Sequence, residues 1–298
     1  MSALVPQIRV ATPTAPPIPQ RKDNPAVARF SLTGKVAIVT GGAGGLGFEA
    51  ARALLEHDVS GLALFDINHD AGLQAVERLK SAFPKANVIF ELVNVTDAVR
   101  VSAAVNVVVE KLGSVDILLG FAGIVGCVHA EDMAVEQWNR ILEVNLTGSF
   151  HCAQAVGKYE VYPACAQKMI EQGTGGSIVL IASISGHTAN FPQPQVSYNV
   201  SKAGVIMTAK SLAAEWGRYK IRVNTISPGY MDTVLNEGKG LDGHKAQWYS
   251  RTPLGRMGGR DELNGAVVLL CSEAGSFITG TDIKVDASSA LLVDGGLL

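Results

Sequence analysis

Short apolar runs alternate with longer segments of helical spacing from Lys35 onward. The runs are mainly hydrophobic and do not alternate strictly between apolar and polar residues, which indicates strands that are buried on both faces. Such strands belong to parallel sheets that are covered by helices on either side. The pattern therefore predicts one doubly wound α/β domain with a mostly parallel sheet of about seven strands. The predicted strands are Val36–Thr40, Leu62–Phe65, Val88–Val93, Ile117–Leu119, Ile178–Ile181, Val223–Ile226 and Ile283–Val285.

The first 30 residues differ in pattern from the rest of the chain. They carry six prolines, which prevent a regular helix or a central strand. We expect an arm over 1–30 and the folded domain over 31–298. Arg9, Arg21 and Lys22 precede or adjoin the first acid, Asp23, as in an organellar transit peptide, but the prolines oppose the amphipathic helix of such peptides. A flexible extension, lying across a neighbouring subunit, is the favoured interpretation.

Composition excludes several classes of protein. With 298 residues, 47% of them hydrophobic and 17% charged, the chain can bury a large core. A net charge of −2 and the lack of a basic patch disfavour a nucleic-acid partner. No apolar run is long enough to cross a bilayer, so no membrane partner is expected either.

Cysteines and histidines show no metal-binding or redox spacing. Cys127, Cys152, Cys165 and Cys271 lie in apolar contexts and are expected to be buried thiols. Unpaired thiols fit a reducing compartment, so a cytoplasmic location is expected, with a mitochondrial one as the alternative. No metal is predicted.

A glycine-rich turn follows the first strand and leads into a helical segment. The turn reads Thr40-Gly41-Gly42-Ala43-Gly44-Gly45-Leu46-Gly47. Strand, glycine turn and helix N-terminus together form a site where backbone N–H groups approach a pyrophosphate. Two spacings fit, Gly42-x-Gly44-x-x-Gly47 and Gly41-x-x-x-Gly45-x-Gly47. Either predicts a dinucleotide cofactor.

Tyr198 and Lys202 are four residues apart, so their side chains share one face of a helix. A phenol with an ordinary pKa near 10 is a poor base at neutral pH. A lysine ammonium fixed nearby stabilises the phenolate and is expected to lower that pKa. The pair is therefore predicted to transfer a proton.

These motifs occur in a fixed order with Asn145, Ser183 and Ser227-Pro228-Gly229. Over residues 32 to 288 the set resembles the classical short-chain dehydrogenase/reductases, and it is most similar to their fungal polyol branch. The resemblance implies a Rossmann-type domain and favours the Gly41, Gly45 and Gly47 spacing. It also implies that Tyr198 is the acid/base, that Ser183 binds the reacting oxygen, that Lys202 also holds the nicotinamide ribose, and that Asn145 joins a water-mediated proton relay.

Asp66 ends the second predicted strand, nineteen residues after Gly47. A carboxylate there can accept hydrogen bonds from ribose hydroxyls and would repel a 2′-phosphate, so NAD is predicted and NADP is disfavoured. The expected cofactor contacts are Gly41, Gly45, Leu46, Gly47, Asp66, Ile67, Asn94, Val95, Ala122, Gly123, Tyr198, Lys202, Pro228, Gly229, Met231 and Thr233.

Three segments depart from the family pattern. Gly120-Phe121-Ala122-Gly123 lacks the usual asparagine, so local hydrogen bonding is at risk and Phe121 should pack into the space. Gly157–Cys165 lengthens an interval and places Pro163 in a helix that normally forms a subunit interface. Val285-Asp286-Ala287-Ser288 replaces a Val-Asp-Gly-Gly sequence. A homotetramer is predicted, and the departures at Gly157–Cys165 and in the tail are expected to alter its assembly relative to the family.

The loop between Ser183 and Tyr198 carries Gln193 and Gln195, which offer donors and acceptors to a hydroxyl-rich substrate. With Ser185, and with Trp248 on a lid over Leu235–Ser250, they form the expected substrate site. The prediction is oxidation of a polyol to a ketose. The alternatives are glutamines that merely face solvent, a less polar 3-hydroxyacyl or steroid alcohol as substrate, and a dinucleotide-sensing protein without turnover.

Overall fold

A seven-stranded parallel sheet forms the centre of the part described by the computed structural model, residues 25–157, 169–189, 193–233 and 242–287. The strand order is β3-β2-β1-β4-β5-β6-β7. This confirms the predicted doubly wound, Rossmann-type α/β fold. The strands are β1 Val36–Thr40, β2 Gly61–Asp66, β3 Asn87–Leu92, β4 Ile117–Gly120, β5 Gly176–Ile181, β6 Ile221–Pro228 and β7 Asp282–Val285.

Helices cover both faces of the sheet. They are α1 Gly45–Glu56, α2 His69–Ala82, α3 Ala98–Leu112, α4 Val135–Leu142, α5 Gly148–Gly157, α6 Met169–Gln172, α7 Val196–Trp216, α8 Asp242–Arg251 and α9 Asn264–Cys271. The apolar sides of α3, α5 and α7 form a core on one face, and those of α1, α2 and α9 form a core on the other. Two covered faces explain why all five residues of β1 are buried.

The strand order reverses at β1, which lies between β2 and β4. Chain connections leave this point in opposite directions and open a crevice beyond the carboxyl ends of the strands. The loops that follow β1, β2, β4, β5 and β6 all reach this edge. The fold therefore gathers the predicted site residues at one end of the sheet.

Thr40 takes over hydrogen bonding at the position where the family asparagine is missing. Its buried Oγ1 accepts from the backbone N–H groups of Phe121 and Ala122, at 3.1 Å each. The Phe121 side chain is buried in the apolar core, as expected. The contact between β1 and the segment after β4 is thus kept, and the expected weakness is not found there.

Several sequence expectations fall on residues outside the described ranges. These are most of the arm (1–24), Pro163 and the rest of 158–168, part of the expected lid (234–241) and the tail from 288. Gly157 is described and ends α5. Ala287 has a φ of 49°, a left-handed conformation that favours the glycine usual in the family.

One expectation about the cysteines is wrong. Cys127 lies on the loop after β4 and is exposed, because that loop runs along the rim of the crevice rather than through the core. Cys152 and Cys271 are buried, and burial raises the pKa of each thiol to about 12. Cys165 lies outside the described residues.

Within the described ranges, no group of three or more His, Cys, Asp or Glu side chains is placed to hold a metal ion. No helix in the same ranges is both long enough and apolar enough to cross a membrane.

Candidate active site

The glycine turn after β1 has a conformation that fits the second of the two predicted spacings. Gly41 and Gly45 have φ values of 67° and 55°, in the left-handed region that favours glycine. A side chain at Gly47 would collide with the carbonyl oxygen of Gly41. Gly44, in contrast, is extended and has open space beside it. The turn thus leads the backbone tightly into α1, whose first N–H groups face the crevice and suit a pyrophosphate.

Two neighbouring cavities extend from this turn along the carboxyl ends of the strands. The larger, of about 630 Å³, meets the smaller, of about 160 Å³, at Gly123 and Ile124. Among the expected cofactor residues, those that line the larger cavity are Gly41, Asp66, Ile67, Asn94, Val95, Ala122 and Gly123. Those that line the smaller are Leu46, Gly123, Tyr198, Lys202, Pro228, Gly229, Met231 and Thr233. Their chemistry and layout fit an extended dinucleotide.

Asp66 is held by the backbone around it. Its Oδ2 accepts from the N–H of Ala43 at 3.1 Å, and its Oδ1 accepts from the N–H of Asn68 at 3.0 Å. One carboxylate oxygen therefore fixes the glycine turn, and the other fixes the start of α2. This double engagement was not evident from the sequence.

Ser183 and Tyr198 meet in the smaller cavity. Ser183 follows β5, and Tyr198 lies in the first turn of α7. Burial raises the pKa of Tyr198, and a side-chain hydrogen bond with Ser183 lowers it. Ser183 also forms a hydrogen bond to Ser185 at 3.1 Å between their hydroxyl oxygens. The fold therefore brings the predicted acid/base and its hydroxyl partner together.

Lys202 lies one turn after Tyr198 and is buried. Its Nζ donates to the carbonyl oxygen of Ile181 at 2.9 Å and lies 5.6 Å from the centre of the Tyr198 ring. Burial lowers the Lys202 pKa from 10.5 to about 8. Burial and Ser183 are the causes of the Tyr198 pKa shift, so the lowering of the phenol pKa by Lys202 stays a prediction.

Asn145 occupies a π-helical turn, Glu143–Thr147, between α4 and α5. Its Nδ2 donates to the Ile124 carbonyl at 2.9 Å and to the Ser201 hydroxyl at 3.0 Å, and its Oδ1 accepts from the Ile124 N–H at 2.8 Å. A β-carbon added to Gly123 would lie 3.3 Å from Asn145 Oδ1 and 3.6 Å from Lys202 Nζ. Asn145 therefore adjoins Lys202, while its role in a proton relay stays a prediction.

The predicted substrate residues divide into two groups. Ser185, Gln193 and Gln195 line the smaller cavity beside Ser183 and Tyr198. This position disfavours the alternative in which the glutamines merely face solvent.

Trp248 does not line that cavity. It is buried on α8 and stacks on Tyr230, with ring centres 4.5 Å apart and an interplanar angle of 13°. The expectation that it covers the site directly is therefore wrong, since Tyr230 stands between Trp248 and the cavity.

Sequence reasoning assigned no role to Tyr230 or Cys127. Tyr230 lines the cavity and donates to Oε1 of Gln193 at 3.1 Å, and Cys127 Sγ accepts from Nε2 of Gln195 at 3.2 Å. Tyr230 directly follows Pro228-Gly229, which was a usable signal. No sequence pattern connects Cys127 with a loop 68 residues later.

Comparison with known proteins gives a consistent group of relatives. A family model described as enoyl-(acyl carrier protein) reductase matches residues 41–287. The NADP-dependent mannitol dehydrogenase of Alternaria alternata is 40% identical over 259 residues, covering 86% of this chain and 92% of the relative. The ribulose-forming D-arabinitol 2-dehydrogenase of Candida tropicalis is 38% identical over 275 residues, covering 87% and 94%.

Solved structures agree with these relatives. The crystal structure of a short-chain type dehydrogenase/reductase from Mycobacterium marinum has a TM-score of 0.81 and 35% identity. The match covers 88% of this chain and 98% of that one.

The NAD prediction is contradicted by these findings. The mannitol dehydrogenase carries NADP in its name. The prediction treated Asp66 as a free carboxylate that would repel a 2′-phosphate, but both of its oxygens already accept from backbone N–H groups. Part of its charge is thereby compensated, and its position does not identify the cofactor.

Proposed function

The chain belongs to the short-chain dehydrogenase/reductase family, in its branch of fungal polyol dehydrogenases, and we propose that it interconverts a sugar alcohol and the corresponding ketose with NADP(H). The observation that carries this proposal is that Ser183 and Tyr198 line one cavity together with Lys202, Gln193 and Gln195.

Tyr198 acts as the proton donor and acceptor in the proposed reaction. Because burial raises its pKa, the phenol keeps its proton at neutral pH and can give it to a carbonyl oxygen. Ser183 forms a hydrogen bond to that same oxygen and holds it in place. The reverse reaction needs the phenolate, so it is favoured at alkaline pH.

Lys202 lines the same cavity and assists the proton transfer by Tyr198. At pH values below about 8 its ammonium is charged, and a positive charge near Tyr198 stabilises the phenolate that forms during reduction. When bound, the reduced dinucleotide supplies the hydride that reduces the carbonyl carbon. The glycine turn would hold its phosphates, while Lys202 and Thr233 would hold its nicotinamide end.

The NADP assignment is supported by the names of relatives and by the surroundings of Asp66. Two backbone N–H groups compensate this carboxylate, which reduces its repulsion of a 2′-phosphate. Arg140 lines the same cavity, but Glu143 lines it too, so the assignment is carried by the names of the relatives.

The first test is the absorbance of reduced nicotinamide during turnover. We expect NADP(H) to support turnover of a sugar alcohol or a ketose from a panel of pentitols, hexitols and nonpolar alcohols. Turnover with NAD(H) alone would overturn the cofactor assignment. Turnover of only the nonpolar alcohols would overturn the substrate class.

Tyr198→Phe tests the assignment of the acid/base. Removing the phenolic oxygen should lower kcat by about two to four orders of magnitude, because no other group stands in its place. NADPH binding, followed by the fluorescence of the nicotinamide, should stay close to that of the wild type. Unchanged turnover in this variant would refute the role of Tyr198.

A further inference from the structure

Gln193 and Gln195, on the substrate loop between Ser183 and Tyr198, each use a different end of the side-chain amide in a hydrogen bond within the protein. In Gln193 the acceptor end is engaged, since Oε1 accepts from the Tyr230 hydroxyl at 3.1 Å. In Gln195 the donor end is engaged, since Nε2 donates to Cys127 Sγ at 3.2 Å. Both side chains line the cavity that contains Tyr198.

A primary amide has one donor end and one acceptor end, so engaging one end leaves the other for a ligand. Among the described residues, no hydrogen bond engages Nε2 of Gln193 or Oε1 of Gln195. Gln193 therefore offers N–H donors to the cavity, and Gln195 offers a carbonyl acceptor.

The partners of the glutamines are themselves fixed. Tyr230 stacks on Trp248, which is buried on α8. This stacking fixes the orientation of the Tyr230 ring and therefore the position of the Tyr230 hydroxyl. Cys127 lies on the loop after β4, which is joined to the substrate loop by a hydrogen bond from Val128 N–H to the Pro194 carbonyl at 3.0 Å. Pro194 stands between the two glutamines.

We propose that Tyr230 and Cys127 are positioning residues that orient Gln193 as a donor and Gln195 as an acceptor. The oriented pair selects substrates whose carbon chain carries hydroxyl groups next to the reacting carbon. Each such hydroxyl can both accept from Gln193 and donate to Gln195, which a nonpolar alcohol cannot do. This inference rests on the proposed function and specifies its substrate class.

Tyr230→Phe keeps the aromatic stack and removes only the hydroxyl that holds Gln193. With the sugar alcohol that the wild type uses best, we expect KM to rise by about tenfold, roughly the loss of one hydrogen bond, while kcat stays near the wild-type value. Tyr249→Phe is the matched control, because Tyr249 is an exposed tyrosine on the same helix as Trp248.

A double-mutant cycle separates positioning from general structural damage. If Tyr230 acts through Gln193, then Tyr230→Phe should add little to the KM of Gln193→Ala. The same comparison can be made without turnover, by calorimetry of sugar alcohol binding to the Tyr198→Phe protein loaded with NADP. Additive effects in both measurements would overturn the positioning role of Tyr230.

Cys127 is tested by two substitutions. Cys127→Ala removes the acceptor for Gln195 and should raise KM, whereas Cys127→Ser restores a hydroxyl acceptor and should bring KM back toward the wild type. Equal KM values for these two variants would overturn the assignment of Cys127.

The outcome for the wild type distinguishes the two proposals. If the wild type turns over no sugar alcohol, the proposed function and this inference fail together. If it turns over a sugar alcohol and Tyr230→Phe leaves KM unchanged, the inference alone fails.

Discussion

The buried ammonium of Lys202 couples protonation to folding. Its pKa is about 8 in the folded protein, against 10.5 when unperturbed. Between these values the unfolded chain binds a proton that the native protein does not, so this residue makes the free energy of unfolding rise with pH. The contribution of Lys202 should grow by up to about 3 kcal/mol across that window.

Lys202→Met isolates this contribution, because it keeps an unbranched side chain without the charge. Cys152 and Cys271 have raised pKa values and act in the opposite direction above about pH 9, but they do so in both proteins. Denaturant unfolding from pH 7 to 10 should therefore show a wild-type minus variant difference that increases with pH. A difference independent of pH would contradict the assignment.

Asp66 shows where prediction from residue type fails. The sequence located this carboxylate correctly at the end of β2 and inside the cofactor cavity. Whether a carboxylate is available to a ligand depends on which donors reach it, and the donors here are backbone groups of Ala43 and Asn68. A backbone N–H is present at nearly every position, so the sequence carries no signal for this engagement.

At the level of elements, Thr40 connects β1 with the segment after β4. Thr40→Val keeps the shape of the side chain but leaves the part-buried N–H of Ala122 without its hydroxyl acceptor, whereas the N–H of Phe121 still donates to the Thr40 carbonyl oxygen at 3.2 Å. We expect a loss of about 1–3 kcal/mol in the free energy of unfolding, measured by denaturant titration. Thr40→Ser retains the acceptor and should lose clearly less, and an equal loss in both variants would contradict the role of the hydroxyl.

The strands were predictable to within about one or two residues because each contains a short apolar run, as sheets covered on both faces require. The helix around Asn145 was harder to predict. The sequence indicated an interruption at Asn145, and the structure shows a π-helical turn that continues the helix with one wider turn. The hydrogen bonds of Asn145 to Ile124 and Ser201 hold that turn, and they join segments far apart in the sequence.

On the scale of the whole molecule, the sequence placed the candidate site well because doubly wound folds bring the carboxyl ends of their strands to one edge. Asn145, Ser183, Tyr198 and Lys202 adjoin one another there, although they span 58 residues of chain. The orientation of Gln193 and Gln195 could not be predicted, because it depends on contacts with Tyr230 and Cys127 from other loops.

Assembly is the remaining property of the whole molecule, and the surface of α7 bears on it. Val196, Val200 and Met207 are exposed and lie four and seven residues apart, on one face of the helix. Such an apolar face suits an interface between copies of the chain, and for the predicted homotetramer light scattering should give about four times the 31.3 kDa chain mass. Met207→Glu should shift the protein to smaller species, whereas Ala82→Glu, the same charge change on α2, should not. A monomeric wild type, or tetramers in both variants, would contradict an interface on this face.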